Sequence, residues 1–320
     1  ADFYDRALAD EPDDPVILDR AFMSALVGGD MDRAIRLAKK LVALEPGERM
    51  PRVTLALADL KHGNYAEARG QIAAATPGPF TALVGTLTDA WAAVGEDDKE
   101  LAMERIGAFE GRAAFALFRS FHEGLMLEVL GDDKGAGEAY AEAMETSGGG
   151  SIRIVQAYAS FLQRQGRSDE ARAALEGFIE LSPEHPLAEH ALKQLDAGKP
   201  LPPLASNAAE GTAEALYGLG SALANDTASN LAELYLRLAL YMRPDFDIAQ
   251  SLLAGTYEQQ ERWADAVAAY AKVDEDSALY LNARIQTALA LNELGKEEEA
   301  IAILQAVSKK GPGKLEPIVA

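Results

Sequence analysis

Cysteine is absent from these 320 residues, which excludes disulfide staples, thiolate nucleophiles and Cys-ligated zinc. Positive charge is scarce: 30 Lys and Arg stand against 51 Asp and Glu, for a net charge of −21 with neutral histidine. The acidic excess is spread along the chain. It argues against nucleic acid and anionic membrane surfaces as partners, because both select basic patches. No apolar run approaches the roughly 20 residues of a membrane-spanning helix. Histidine occurs only four times, and His185 and His190 stand five apart rather than the four that stacks a metal pair on one helix face. The acidic clusters Glu96-Asp97-Asp98, Asp132-Asp133, Asp274-Glu275-Asp276 and Glu297-Glu298-Glu299 lack calcium-loop spacing. No G-x-S-x-G, H-E-x-x-H or Ser/His/Asp grouping can be assembled. The sequence therefore predicts no catalytic residue, no metal ligand and no cofactor.

What the chain does have is a period. Ala34 and Ala68 are 34 apart, Ala136 and Ala171 are 35 apart, and Ala232, Ala266 and Ala300 return to 34. Most have a glycine or another helix stop about five residues earlier and a bulky residue four later, as in Ala136-x3-Tyr140 and Ala266-x3-Tyr270. A fixed period in the thirties predicts stacked helical hairpins, none of which buries its apolar face alone. With 48% hydrophobic residues the chain can build such a core. Gly29, Gly63, Gly95, Gly131, Gly166 and Gly295 are expected to end first helices in the left-handed conformation. Asn64, Asp132, Ser168 and Asp226 are expected near the starts of second helices.

The expected fold is an all-α, right-handed superhelical solenoid of about eight helix–turn–helix hairpins. They fall at 13–46, 47–77, 80–111, 115–147, 150–183, 208–244, 245–276 and 278–311, behind a lone helix at 1–11. That lone helix matches the second helix of a hairpin whose first is missing, so a longer parent chain is expected. In hairpin 80–111 the repeat alanine is not evident, and the frame is set at Glu100. Ala171 and Ala232 stand 61 apart, and Pro200, Pro202 and Pro203 lie close together between them. Prolines so placed cannot continue a helix. The expected organisation is a lobe at 1–185, a short helix and docked proline strap at 186–207, and a second lobe at 208–320.

Leu216-x2-Leu219-Gly220-x2-Leu223 and the Ala-x3-aromatic units above resemble the tetratricopeptide repeat, whose pattern is W-x2-L-G-x2-Y…A-x3-F-x2-A…P. The resemblance implies a concave face lined by first helices through, among others, the fifth and ninth repeat positions. Counted from the repeat alanines, these include Met23, Val53, Leu57, Gly85, Asp89, Phe121, Leu125, Gln156 and Ser160. The Lys and Asn of the family's carboxylate-clamp members are missing from them. Met23, Met50, Val53, Leu57, Phe118, Phe121 and Leu125 form the expected partner-binding groove, apolar and suited to an apolar or amphipathic segment of a protein partner. Phe118, Phe121, Met50 and Leu57 are expected to be partly exposed there. The implied function is a non-enzymatic scaffold or assembly adaptor. A non-catalytic segment of a larger enzyme or transporter, and a carrier of a hydrophobic small ligand, are the alternatives. The Ala-rich, Arg-over-Lys composition is compatible with a bacterial protein, and the absence of cysteine fits one in the periplasm or envelope better than one in the cytoplasm.

Overall fold

The computed structural model describes residues 2–76, 78–109, 115–224 and 229–310. Among the described residues every regular element is an α-helix. Helix α1 (Asp2–Asp10) precedes five pairs: α2 (Pro15–Gly28) with α3 (Met31–Leu44), α4 (Arg49–Lys61) with α5 (Tyr65–Ala74), α6 (Pro79–Gly95) with α7 (Lys99–Gly107), α8 (Ala116–Val129) with α9 (Asp133–Ser147), and α10 (Ile152–Arg164) with α11 (Ser168–Leu181). Helix α12 (Pro186–Asp196) leads into an extended strap. Three more pairs follow: α13 (Ala208–Ala224) with α14 (Ser229–Met242), α15 (Asp247–Gln259) with α16 (Trp263–Tyr270), and α17 (Tyr280–Glu293) with α18 (Glu297–Lys310). The chain divides into two compact units, 1–216 and 217–320, so the division falls inside α13.

The helices begin and end where local chemistry dictates. Asp14, Asp30, Asp98 and Asp132 each accept the backbone N–H three residues on, at 2.9–3.0 Å, satisfying a donor that the first turn leaves open. Asn64 occupies a cap position without a side-chain bond, Ser168 is the first helical residue behind Arg167, and Asp226 lies outside the described residues. Gly29, Gly63, Gly131, Gly166 and Gly295 have φ between 72° and 80°, each five places before a repeat alanine. Gly95 does not. It is the last residue of α6, and a Cβ there would run into the Tyr65 ring. The left-handed position of this hairpin is taken by Asp97, at φ 59°, just as Glu261 takes it before Ala266 at φ 57°.

That detail corrects the frame of the third hairpin. Counting from Asp97 makes Ala102 the repeat alanine, fully buried and midway between Ala68 and Ala136 at the same interval of 34. Glycine was the misleading signal, because Gly95 serves a ring contact just upstream of the true turn. With Ala102 in place, the position twelve before each repeat alanine is buried throughout: Phe22, Ala56, Ala90, Gly124, Ala159, Ala254 and Ala288, with Gly220 in the 217–320 unit. A Cβ at Gly124 would meet Tyr140 at 2.6 Å, and one at Gly220 would meet Leu236 at 2.8 Å. The partner in both cases lies four places after the repeat alanine, so a small residue opposite a large one sets the hairpin spacing. The device carries a polar clasp as well: Tyr140 donates to Glu128 at 2.6 Å and Tyr270 to Glu258 at 3.1 Å.

After α12, Gly198 turns with φ 67° and the backbone runs extended through the prolines. Leu201, Leu204 and Ala205 are buried. Ala205 stands one interval of 34 after Ala171, so the strap keeps one repeat alanine although it forms no second helix there.

Candidate partner-binding face

In the first unit the corrected frame aligns Val53 and Leu57 of α4, Leu87 and Trp91 of α6, Phe121 and Leu125 of α8, and Gln156 and Ser160 of α10. Gly85 and Asp89, assigned to this face from the sequence, fall off the fifth and ninth positions in the corrected frame, although both line a cavity of about 410 Å³ with Val53. A Cβ at Gly85 would sit 3.3 Å from Ile72 of α5, and Asp89 pairs with Arg69 at 2.9 Å and Arg105 at 2.8 Å. Val53, Leu57 and Leu125 are buried and Phe121 is 9% exposed, whereas Met23, Met50 and Phe118 are half-buried. The expected exposure therefore holds for Met50 and Phe118 and fails for Leu57 and Phe121.

Part of the covering is the chain's own residues 199–216. A Cβ on Gly211 of α13 would overlap the Trp91 ring, so the helix backbone lies directly on that indole. Glu214, its side chain fully buried, receives Nε of Arg153 at 3.1 Å and a second guanidinium nitrogen on its other oxygen. Residues 211–216 are buried without interruption, which means this stretch of α13 is enclosed on all sides. Upstream, α10 holds the strap by its backbone. Gln163 donates to the Lys199 carbonyl at 2.8 Å and accepts from the Leu201 N–H at 2.6 Å. Ser160 Oγ lies 2.9 Å and 2.7 Å from the carbonyls of Leu201 and Pro202, and Arg164 reaches the Leu201 carbonyl at 3.2 Å.

Along the first helices of this unit runs a polar stripe that sequence reading missed. Thr54, Thr88 and His122 recur at the repeat interval, one place after the fifth position, and all three are buried. Thr54 Oγ1, Thr88 Oγ1, His122 Nδ1 and the neighbouring Trp91 Nε1 have no hydrogen-bond partner among the described residues. His122 packs among the rings of Trp91, Phe118 and Phe121 at 5.3–6.3 Å. Burial pushes its pKa down to about 3, so the imidazole is neutral at pH 7. Exact periodicity was the available signal; it became legible only with Ala102 in frame.

The two methionines mark a different place. Met23 and Met50 line a hollow of about 620 Å³ together with Asp19, Glu45, Glu48, Arg49 and Thr76. The Glu48 carboxyl is held above the usual range, first by burial, then by its hydrogen bond to Glu45 and the negative charges of Glu45 and Asp19. Apolar thioethers, three carboxylates and one guanidinium thus meet at the first two hairpins. In the second unit the buried carboxylate of Glu233 is met by Arg262 at 2.7 Å, Arg237 at 3.1 Å and the Tyr257 hydroxyl at 3.2 Å. Each of its polar atoms has a partner, which gives it a structural role in joining α14 to α15 and α16. Among the described residues no group of three His, Asp or Glu side chains is placed to hold a metal, and no helix is long and apolar enough to cross a membrane.

The family model described as tetratricopeptide repeat matches residues 152–185, the α10–α11 hairpin and the turn after it. No curated protein matches the sequence. Among solved structures the chain is similar to a MamA protein, at 18% identity over 65% of this chain and 98% of that one, with a TM-score of 0.30. It is also similar to the tetratricopeptide domain of P58(IPK), at 14% identity over 97% and 88% with a TM-score of 0.30. Yeast Tom70 is similar at 12% identity over 98% and 88%, also at 0.30. The matched model covers one hairpin, and the regular frame of repeat alanines extends the same interval along the chain.

Proposed function

We propose that this chain, a tetratricopeptide-repeat protein by its frame and its matched repeat, is a non-catalytic scaffold that holds a segment of a protein partner against its first two hairpins. The observation that carries the reading is the hollow between α2 and α4, where Met23 and Met50 are half-buried beside Asp19, Glu45 and Glu48. Methionine adapts its shape to irregular apolar anchors. The crowded carboxylates favour a cation, whose charge would offset the negative charges of Glu45 and Asp19 that add to burial in holding the Glu48 carboxyl high. The partner chemistry is therefore an amphipathic segment with an apolar anchor and basic flanks. The acidic surface of the whole chain, at net −21, favours encounter with such a segment.

Site-specific photo-crosslinking tests this. A photoreactive residue at position 23 or 50 should capture a discrete partner, and one at Lys40, exposed on α3, should not. Equal capture from both positions, or capture from position 40 alone, would remove the hollow as the binding site.

A further inference from the structure

Four observations in the first unit concern one segment. The strap is held through its backbone, by Gln163, Ser160 and Arg164, and so by groups that read an extended chain rather than its side chains. A side-chain amide that donates to one carbonyl and accepts from the N–H two residues on does for a bound strand what a neighbouring strand does in a sheet. Leu201 and Leu204 are the buried anchors. Downstream, Gly211 lies on Trp91 of α6, Glu214 meets Arg153 of α10, and the small residues Ala213 and Ala215 are buried in the same stretch. Finally, the fit is incomplete. Trp91 Nε1, His122 Nδ1 and Thr88 Oγ1 have no partner among the described residues while the segment is in place, although a buried polar group without one is costly.

We propose that the face formed by α6, α8 and α10 is a binding channel for an extended-then-helical peptide, that residues 199–216 occupy it in cis, and that a partner segment of the same chemistry exchanges with them. That chemistry is an extended stretch with two leucines three apart, followed by a helix of small residues bearing one carboxylate for Arg153. A partner that also offers an acceptor to Trp91 Nε1 gains a bond the resident segment does not make. The channel shares with the proposed function the idea of a segment-binding scaffold, but it lies apart from the Met23–Met50 hollow. Crosslinking at position 50 and occupancy of this channel can therefore fail independently.

The test uses the full chain with Trp263→Phe, which leaves Trp91 as the single tryptophan of two. Gly211→Val places methyl groups where even a Cβ would overlap the Trp91 ring, so it should release the segment and shift Trp91 emission to the red. A synthetic peptide of residues 199–216 should then return the emission to the blue, saturably, in the Gly211→Val chain and not in its parent. The same peptide carrying Glu214→Gln should bind more than about tenfold more weakly. A red shift that the peptide does not reverse, or no red shift at all, would show that the segment is only packing and overturn the proposal. If Gly211→Val loses its helical circular dichroism, Glu214→Gln in the full chain takes its place. It keeps the side-chain shape, and failure of the wild-type peptide to compete into that chain overturns the proposal equally.

Discussion

His122 shows how much a single side chain can decide. It is 1% exposed, surrounded by three aromatic rings, and its pKa is pushed down to about 3 by burial. The unfolded chain takes up this proton near pH 6.5, whereas the folded chain resists it until about 3. The unfolded state therefore binds more protons across that window, and stability falls as pH drops through it. Between pH 7 and 5 the site should cost about 2 kcal/mol. Thermal melts of His122→Gln should show that much less acid sensitivity than wild type; equal sensitivity would mean that His122 reaches water. Phe121, tilted against the same imidazole and 9% exposed, belongs with the core. Phe121→Ser should cost roughly 3–5 kcal/mol, while Met50→Gln, at a half-buried site, should leave the melting point nearly unchanged and weaken capture. A harmless Phe121→Ser would return that ring to an open groove.

Helices and hairpins follow from a short-range grammar that was mostly legible. Repeat alanines, left-handed glycines and Asp caps each act within one turn, so their spacing in the chain already encodes their geometry. Where the grammar is degenerate, sequence reading slipped: Asp97 does a glycine's work and Gly95 serves Tyr65 instead, which displaced the third frame by two places. That slip concealed Trp91 as a face residue and the stripe Thr54, Thr88 and His122. The packing frame has a direct check. Ala102→Leu and Ala266→Leu, at fully buried positions, should each destabilise by roughly 1–3 kcal/mol, because three further carbons do not fit. Ala268→Leu, exposed on α16 two places away, should be near neutral in urea or thermal melts. It serves as the control because Ala228, outward by the same frame, lies outside the described residues. Comparable losses at Ala266 and Ala268 would mean that the repeat period does not describe packing.

At the scale of the whole molecule, what the sequence could not show was which apolar surface stays open. Val53, Leu57, Leu125 and Phe121 match Met23 and Met50 in type and in repeat position or neighbourhood, yet the first four are buried and the last two are half-exposed. A segment beyond residue 198 returns to α6 and α10, and local periodicity carries no record of such a return. The pair of Arg153 with the buried Glu214, far apart in the chain, was invisible for the same reason. Function in this reading belongs to the first helices of the first unit. Hydrogen exchange of the full chain, alone and with the partner captured through position 50, addresses that most directly. Amide exchange should slow in α2, the turn at 45–48 and α4, and should be unchanged in α14 to α18. Slowing confined to α14–α18, or none in α2 and α4, would contradict a partner site on the first two hairpins.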